Sequence, residues 1–317
     1  MGMPCLRRGI VITASAPGKI ILLGEHAVVY GRPAIAVPVT HVQATVTLEP
    51  GGRGVMIQAR DTGRTLDYAQ ADPLDPLAAI VRVTLAHFGL AAPDLSIAIR
   101  STIPIASGLG SGAAVSVAIV RALAKFAGQA DLSPDIVSNL AYEVEQLYHG
   151  TPSGIDNTVI AFNRPVYFVR GKPLQTFSVK RPFTVVIGDT GIASPTKIAV
   201  AEVRTGWAAD RARYEAWFDQ IGRLAQQARA AIECGEIDQL GPWLDQNQSL
   251  LQNIGVSSVE LDRLIGAAKA AGAAGAKLVG GGRGGNMIAL VDETNREAVA
   301  AALQNAGATR VIITEIK

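Results

Sequence analysis

The sequence has little cysteine, no long apolar run and no block of like charge, and each shortage excludes a class of protein. Only Cys5 and Cys234 occur in 317 residues, so we expect neither a disulfide framework nor a zinc site. No apolar run is long enough to cross a membrane, and the four residues after Arg7-Arg8 are too few for a secretory signal. The net charge of +2 gives no nucleic-acid signature. The composition predicts a cytoplasmic enzyme that contacts neither nucleic acid nor membrane.

Several common catalytic motifs are also missing. The sequence contains no G-x-x-x-x-G-K-[ST], no G-x-S-x-G and no H-E-x-x-H, which argues against a P-loop enzyme, an α/β-hydrolase or a zincin. The run Gly280–Gly285 formally fits G-x-G-x-x-G. Because a strand rather than a helix is predicted to follow it, the Rossmann interpretation fails.

The length of 317 residues predicts two domains, and a change of character along the chain places them at 1–180 and 181–317. Predicted strands are Ile10–Thr13, Lys19–Leu23, Val42–Leu48, Val55–Ala59, Leu95–Ile99, Val166–Val169, Phe183–Ile187, Ala276–Val279, Met287–Val291 and Arg310–Glu315. Predicted helices are Asp75–Phe88, a run ending at Lys125, one that starts at Ser133-Pro134 and stops at Gly150, a long region from Ser194 to about Leu251, one from the capping box 257–260 to Ala271, and Glu293–Ala306.

The most informative segment is Pro104–Ala114, which lies between a predicted strand and a predicted helix. Glycines at 108, 110 and 112 allow the backbone to turn tightly and to approach a ligand. The N-terminus of the following helix presents unpaired N–H groups and a positive dipole, which suit phosphate. The alternative is a flexible turn before a helix.

A second segment runs from Ser15 to Gly31 and places Lys19 at the start of a buried strand. Glu25-His26 then follows Gly24, so two titratable groups lie at the strand's far end. Either Lys19 directs its ammonium into a cleft or it is an ordinary edge-strand charge. A solvated turn is the alternative for Glu25-His26.

A third segment, 143–157, ends a helix with two carboxylates. Glu143 and Glu145 lie where the helix dipole disfavours anions, and a bound cation would offset that cost. The turn 150–154 then delivers Asp156 onto a new element. A plain Pro-Gly loop with an Asx turn is the alternative.

Together these three segments and the glycine-rich run 277–290 resemble the GHMP superfamily of small-molecule kinases, and within it most closely the mevalonate kinases. The more discriminating stretches are Gly24–Gly31 and His149–Asn157. The resemblance implies an α+β fold with a ribosomal-protein-like β/α N-terminal domain and a ferredoxin-like C-terminal domain. It also implies ATP-dependent phosphorylation of mevalonate with Mg²⁺.

Residue roles follow from the resemblance. Asp156 is expected to accept the substrate proton, and Lys19 to pair with it. The residues expected at the phosphates are Pro104, Gly108, Leu109, Gly110, Ser111, Gly112 and Ala113. Glu145 and Ser111 are expected at Mg²⁺. The residues expected on the substrate side are Glu25, His26, Ser153, Thr196 and Gly282.

Two positions depart from the family's pattern. Gly112 stands where a second loop serine is usual, which puts one Mg²⁺ contact in doubt. Arg283 adds a charge where the family keeps bare glycine backbone, so a second substrate phosphate is conceivable there. A phosphomevalonate or sugar kinase, and a non-catalytic nucleotide-binding regulator, therefore stay as alternatives. The sequence leaves open whether the chain forms a homodimer.

Overall fold

The computed structural model describes residues 10–104, 108–149, 153–194 and 196–317. The strands in that part of the chain are β1 (Ile12–Leu23), β2 (Ala34–Pro50), β3 (Val55–Ala59), β4 (Arg64–Asp67), β5 (Leu95–Ser101), β6 (Val166–Phe168), β7 (Gln175–Thr176), β8 (Phe183–Asp189), β9 (Gly275–Leu278), β10 (Asn286–Val291) and β11 (Arg310–Ile316). The helices are α1 (Pro76–His87), α2 (Ser111–Phe126), α3 (Pro134–His149), α4 (Ile155–Phe162), α5 (Thr196–Ala209), α6 (Arg211–Cys234), α7 (Leu240–Ile254), α8 (Val259–Ala270) and α9 (Arg296–Asn305).

Contacts along the chain divide it into two compact units. Unit 1 comprises Met1–Gly18, Val42–Pro104 and Gly110–Asn163. Unit 2 comprises Lys19–His41, Ile105–Leu109 and Arg164–Lys317. Strands β1 and β2 each contribute to both units. The predicted boundary near residue 180 stays a prediction.

Unit 1 combines a sheet with four helices. Its strands follow the order β4-β3-β5-β2, with β3 parallel to β5 and the other pairs antiparallel. Helix α1 begins at Pro76 because the carboxylate of Asp75 accepts hydrogen bonds from the amides of Leu77 and Ala78. Helices α1, α2 and α3 pack on one another, and α4 packs on α2 and α3. Small buried residues along α2, alanine above all, allow this close packing.

Unit 2 is built on a four-stranded antiparallel sheet. The spatial order β11-β8-β10-β9 corresponds to 4-1-3-2 in chain order, which is the arrangement of a ferredoxin-like unit. Helices α8 and α9 pack on this sheet, and α5, α6 and α7 are inserted between β8 and α8. The predicted ferredoxin-like half is therefore confirmed. Among the described residues, no helix has the length and apolarity needed to cross a bilayer.

Two predictions of local structure need correction. Ile10–Thr13 and Lys19–Leu23 are not separate strands, since β1 runs unbroken from Ile12 to Leu23. The long helical region after Ser194 is three helices, because Asp210 caps the start of α6 and left-handed Gly235 ends it. The start of α8 is confirmed, with the hydroxyl of Ser258 accepting from the amide of Leu261.

Candidate active site

The predicted phosphate loop ends in an uncapped helix N-terminus. Gly108 and Gly110 have φ values of 81° and 75°, which glycine adopts without strain. Gly110 is the N-cap of α2 and provides no side-chain hydrogen bond to its first turn. The amides at Ser111, Gly112 and Ala113 therefore lie at the positive end of a 16-residue helix. Residues 105–107 of the loop lie outside the described residues.

Lys19 lies beside this loop. Its backbone amide donates to the carbonyl of Leu109 at 2.9 Å, which ties β1 to the residue just before Gly110. The lysine is 5% exposed and Leu109 is fully buried. Pro104 follows β5 and is partly buried. The role predicted for Lys19, as the partner of Asp156, stays a prediction.

Asp156 lies in the first turn of α4, two residues after left-handed Gly154 with φ 77°. It is partly buried, as is Glu145 of α3. The exposed Ser153 accepts a hydrogen bond from the amide of Ile155, which supports the same turn. Residues 150–152, between α3 and α4, lie outside the described residues. Since α2, α3 and α4 pack on one another, unit 1 holds Ser111, Glu145 and Asp156 on mutually packed helices.

A buried polar network fixes the turn that carries Asp156. The amide nitrogen of Asn157 donates to the carbonyl and the hydroxyl of Ser138, at 3.0 and 2.8 Å. The Ser138 hydroxyl lies 3.2 Å from that of Thr158, which donates to the carbonyl of Gly154. All three side chains are buried. Sequence reasoning missed this network, because Ser138 shows no signal of a polar role within the amphipathic pattern of α3.

Unit 2 folds Gly24-Glu25-His26 into a tight corner after β1. Gly24 has φ 107°, and a Cβ there would lie 2.4 Å from the Cα of Ala34, so only glycine fits. His26 has φ 58°, an uncommon left-handed conformation for a side-chain-bearing residue. The 3-10 turn Ala27–Tyr30 follows. We call residues 24–26 the corner below.

The imidazole of His26 is buried and neutral. Its Nε2–H donates to the carbonyl of Gly281 at 3.1 Å. Burial lowers the pKa of His26 to about 4; the Gly281 hydrogen bond opposes this, and the cations of Arg283 and Lys277 add to it. Because a carbonyl can only accept, Nδ1 of the neutral ring is left as an acceptor.

Glu25 is buried beside a lysine that sequence reasoning did not assign. Its carboxylate forms an ion pair with the ammonium of Lys277 on β9, and the two side chains are 1% and 0% exposed. The amide nitrogen of Asn247 on α7 lies 3.4 Å from the other carboxylate oxygen. Burial lowers the pKa of Lys277, and the charge and hydrogen bond of Glu25 oppose that effect. The sequence did offer one signal, since Lys277 is the single charged residue in the otherwise apolar strand Gly275–Leu278.

The glycine hairpin 280–285 joins β9 to β10 and packs closely on its surroundings. Ser194 donates to the carbonyl of Gly282 at 2.7 Å. A Cβ at Gly281 would lie 3.0 Å from the Cα of Thr196, the exposed first residue of α5. A Cβ at Gly282 would lie 2.0 Å from the carbonyl oxygen of Val256. Unit 2 thus brings His26, Thr196 and Gly282 to one hairpin.

Arg283, the charged departure in this hairpin, is engaged within unit 2. Its guanidinium forms an ion pair with Glu202 of α5 at 2.5 Å and donates to the carbonyl of Gly255 at 3.2 Å. Its own amide donates to the carbonyl of Val256 at 2.8 Å. These contacts hold a left-handed residue with φ 60° in place.

Within the described residues, no group of three His, Cys, Asp or Glu side chains forms a metal cage. Magnesium is commonly held by one or two carboxylates together with substrate phosphates and water. The partly buried Glu145 and the hydroxyl of Ser111 at the uncapped N-terminus of α2 suit that mode of binding.

Comparisons with known proteins show the family to which the chain belongs. The family model for the GHMP kinases N terminal domain matches residues 76–164, and that for the GHMP kinases C terminal domain matches residues 227–309. The chain is 34% identical to a mevalonate kinase of Pyrococcus furiosus, with 96% of both chains covered. It is 35% identical to one of Thermococcus sibiricus, with 95% of both covered.

A solved structure, that of L. major mevalonate kinase in complex with R-mevalonate, has a TM-score of 0.85 to this chain. The two share 26% sequence identity, and the match covers 100% of this chain and 99% of the other. Agreement in fold and sequence along almost the whole length shows that the chain belongs to the GHMP kinases and, within them, to the mevalonate kinase family.

Proposed function

We propose that the chain transfers the γ-phosphoryl group of ATP to the primary hydroxyl of mevalonate and releases 5-phosphomevalonate and ADP. One observation carries the proposal: the chain is similar along almost its whole length to proteins named mevalonate kinase. The segments that carry the resemblance to that family lie at the helix N-terminus, the corner and the hairpin described above.

The ATP phosphates are assigned to the N-terminus of α2. Gly110 leaves the first turn without a side-chain cap, and a Cβ at Gly112 would meet nothing within 4 Å. Open space in front of unpaired amides at a helix N-terminus suits an anion. Amides that point at the transferring group also stabilise the charge that it develops, without reorganisation during the reaction.

Magnesium is assigned to Glu145 and to the hydroxyl of Ser111. When bound, the ion neutralises charge on the β- and γ-phosphoryl oxygens. Gly112 offers no hydroxyl where the family usually has a second serine, so this chain has one protein ligand fewer for the metal. Tighter binding should follow when that hydroxyl is restored.

Asp156 is assigned as the general base and Lys19 as its cationic partner. The carboxylate of Asp156 accepts the proton of the attacking hydroxyl, whose oxygen forms the new bond to phosphorus while the bond from phosphorus to ADP breaks. The buried ammonium of Lys19 stabilises negative charge on the reacting oxygens. The hydrogen bonds of Asn157 to α3 support this role, since they fix the turn on which Asp156 lies.

The acceptor is assigned to His26, Ser153, Thr196 and Gly282. His26 offers Nδ1 as a neutral acceptor for a substrate hydroxyl, and Thr196 offers an exposed hydroxyl at the start of α5. Glu25 is treated separately below, because its carboxylate is almost fully buried. The rival assignment to a phosphorylated acceptor receives little support, because the guanidinium of Arg283 is paired with Glu202.

The test is ADP release from Mg-ATP with the purified protein and one of four acceptors: mevalonate, phosphomevalonate, homoserine or galactose. Turnover with mevalonate alone supports the proposal. Turnover with another acceptor alone keeps the mechanism and overturns the substrate. Binding of ATP without turnover on any acceptor favours the non-catalytic regulator. A homodimer stays a prediction that sedimentation velocity would test.

A further inference from the structure

Glu25 and Lys277 form a charged pair with almost no access to solvent. The two side chains are 1% and 0% exposed, and the ammonium also donates to the carbonyl of Leu278. Removal of two charges from water is costly, and well-packed apolar side chains often stabilise a core as well as a buried pair does. The pair therefore calls for an explanation other than stability alone.

The pair joins two segments that are 252 residues apart in sequence. One is the corner, in which Glu25 lies between strictly required Gly24 and left-handed His26. The other is β9, which leads directly into the glycine hairpin.

A second bond joins the same two segments. His26, next to Glu25, donates to the carbonyl of Gly281, four residues beyond Lys277. The corner is thus attached to β9 and to its hairpin at two points, one ionic and one neutral. Two attachment points fix both the distance and the rotation of the corner relative to the hairpin.

We propose that Glu25 is a positioning residue and does not contact the substrate: with Lys277 it forms a buried brace that holds His26 in register with the Gly281–Gly282 backbone. The carboxylate has one oxygen on the Lys277 ammonium and the other near the Asn247 amide, and because the side chain is only 1% exposed a ligand does not reach it. By fixing the contact of His26 Nε2 with the Gly281 carbonyl, the brace holds the imidazole whose Nδ1 is assigned to the acceptor. The catalytic part of this inference rests on the proposed function.

The test is a double-mutant cycle with Glu25→Gln, Lys277→Met and the double variant, each followed by thermal unfolding and steady-state kinetics. Each single variant leaves a buried group without its partner. We expect each to lower the Tm and to lower kcat/KM for mevalonate at least tenfold. The double variant should regain most of both losses, because neither charge is then left buried alone.

The brace also predicts which kinetic constant changes in the double variant. The remaining loss in the double variant should fall on KM for mevalonate, whereas KM for ATP should stay within about twofold, since the loop 108–113 is not part of the brace. The matched control is the exposed pair Arg181 and Asp238, for which Arg181→Met, Asp238→Asn and the double variant should show no coupling.

Four results would overturn the proposal. A double variant that recovers its Tm but stays as inactive as Glu25→Gln would place Glu25 on the substrate. If the Tm losses of the two single variants add in the double variant, Glu25 and Lys277 do not act as a pair. The same follows if Lys277→Met has the Tm and the kcat/KM of wild type. If a single variant does not fold, comparison of the double variant with wild type still tests the proposal. A folded double variant with more than a hundredfold loss in kcat would refute the brace. Wild type without turnover on mevalonate would instead refute the proposed function, and the Tm cycle would still test the pair.

Discussion

Replacement of Gly24 by alanine should damage the protein far more than the same replacement at Gly31 in the same segment. Both glycines have positive φ, at 107° and 81°. A Cβ at position 24 would lie 2.4 Å from the Cα of Ala34 and 2.6 Å from the carbonyl oxygen of Pro33. A Cβ at position 31 would meet nothing within 4 Å.

The two costs differ because the atoms that crowd Gly24 are backbone and cannot rotate away. The strained conformation costs about 1–3 kcal/mol and overpacking about 1–3 kcal/mol more, so Gly24→Ala should lose about 2–6 kcal/mol. Gly31→Ala pays only for its left-handed backbone, about 1–2 kcal/mol. Gly24→Ala should also raise KM for mevalonate, because it displaces the corner that holds His26.

The measurement is urea-induced unfolding of wild type and both variants, followed by circular dichroism and by tryptophan fluorescence. The reasoning predicts a midpoint shift for Gly24→Ala at least twice that for Gly31→Ala. Equal shifts, or a larger shift for Gly31→Ala, would refute the close approach of Gly24 to Ala34.

Three further predictions concern pH, the metal and the base. The pKa of His26 is lowered from 6.5 to about 4 in the folded protein. Its imidazole should therefore leave the free energy of unfolding unchanged above pH 6.5 and lower it by about 3 kcal/mol as the pH drops to 4. The variant His26→Asn should lose this pH dependence when denaturation is measured at a series of pH values. Gly112→Ser should lower the Mg²⁺ concentration at half-maximal rate, whereas Gly112→Ala, which adds a methyl group into the same open space, should not. Asn157→Ala removes two buried hydrogen bonds and should lower the free energy of unfolding by about 1–3 kcal/mol. We expect kcat to fall by a larger factor than KM rises. An unchanged kcat would show that Asn157 does not position Asp156.

Local signals in the sequence were enough for the helices and strands that carry the candidate site. Alternate glycines before a small-residue helix predicted the N-terminus of α2, and Ser133-Pro134 predicted the start of α3, because turns and caps depend on a few neighbouring residues. The strands on both sides of the glycine hairpin were predicted for the same reason. The fold class followed from the resemblance and is confirmed.

Contacts between distant segments could not be predicted in this way. The pair of Glu25 and Lys277 spans 252 residues, and nothing near either residue indicates its partner. The single strand β1 was divided in the prediction because Ser15–Gly18 reads as a turn, although pairing with β2 keeps it extended. Tertiary context decided both cases.

The most direct test of the account is phosphorus NMR of the products formed by the purified chain from Mg-ATP and mevalonate, with Asp156→Asn as the matched variant. The account predicts that wild type forms a phosphate monoester of mevalonate in step with ADP. The variant, still folded and able to bind ATP, should form that ester about 10²- to 10⁴-fold more slowly. Formation of inorganic phosphate in place of the ester, or an Asp156→Asn variant as fast as wild type, would contradict the account.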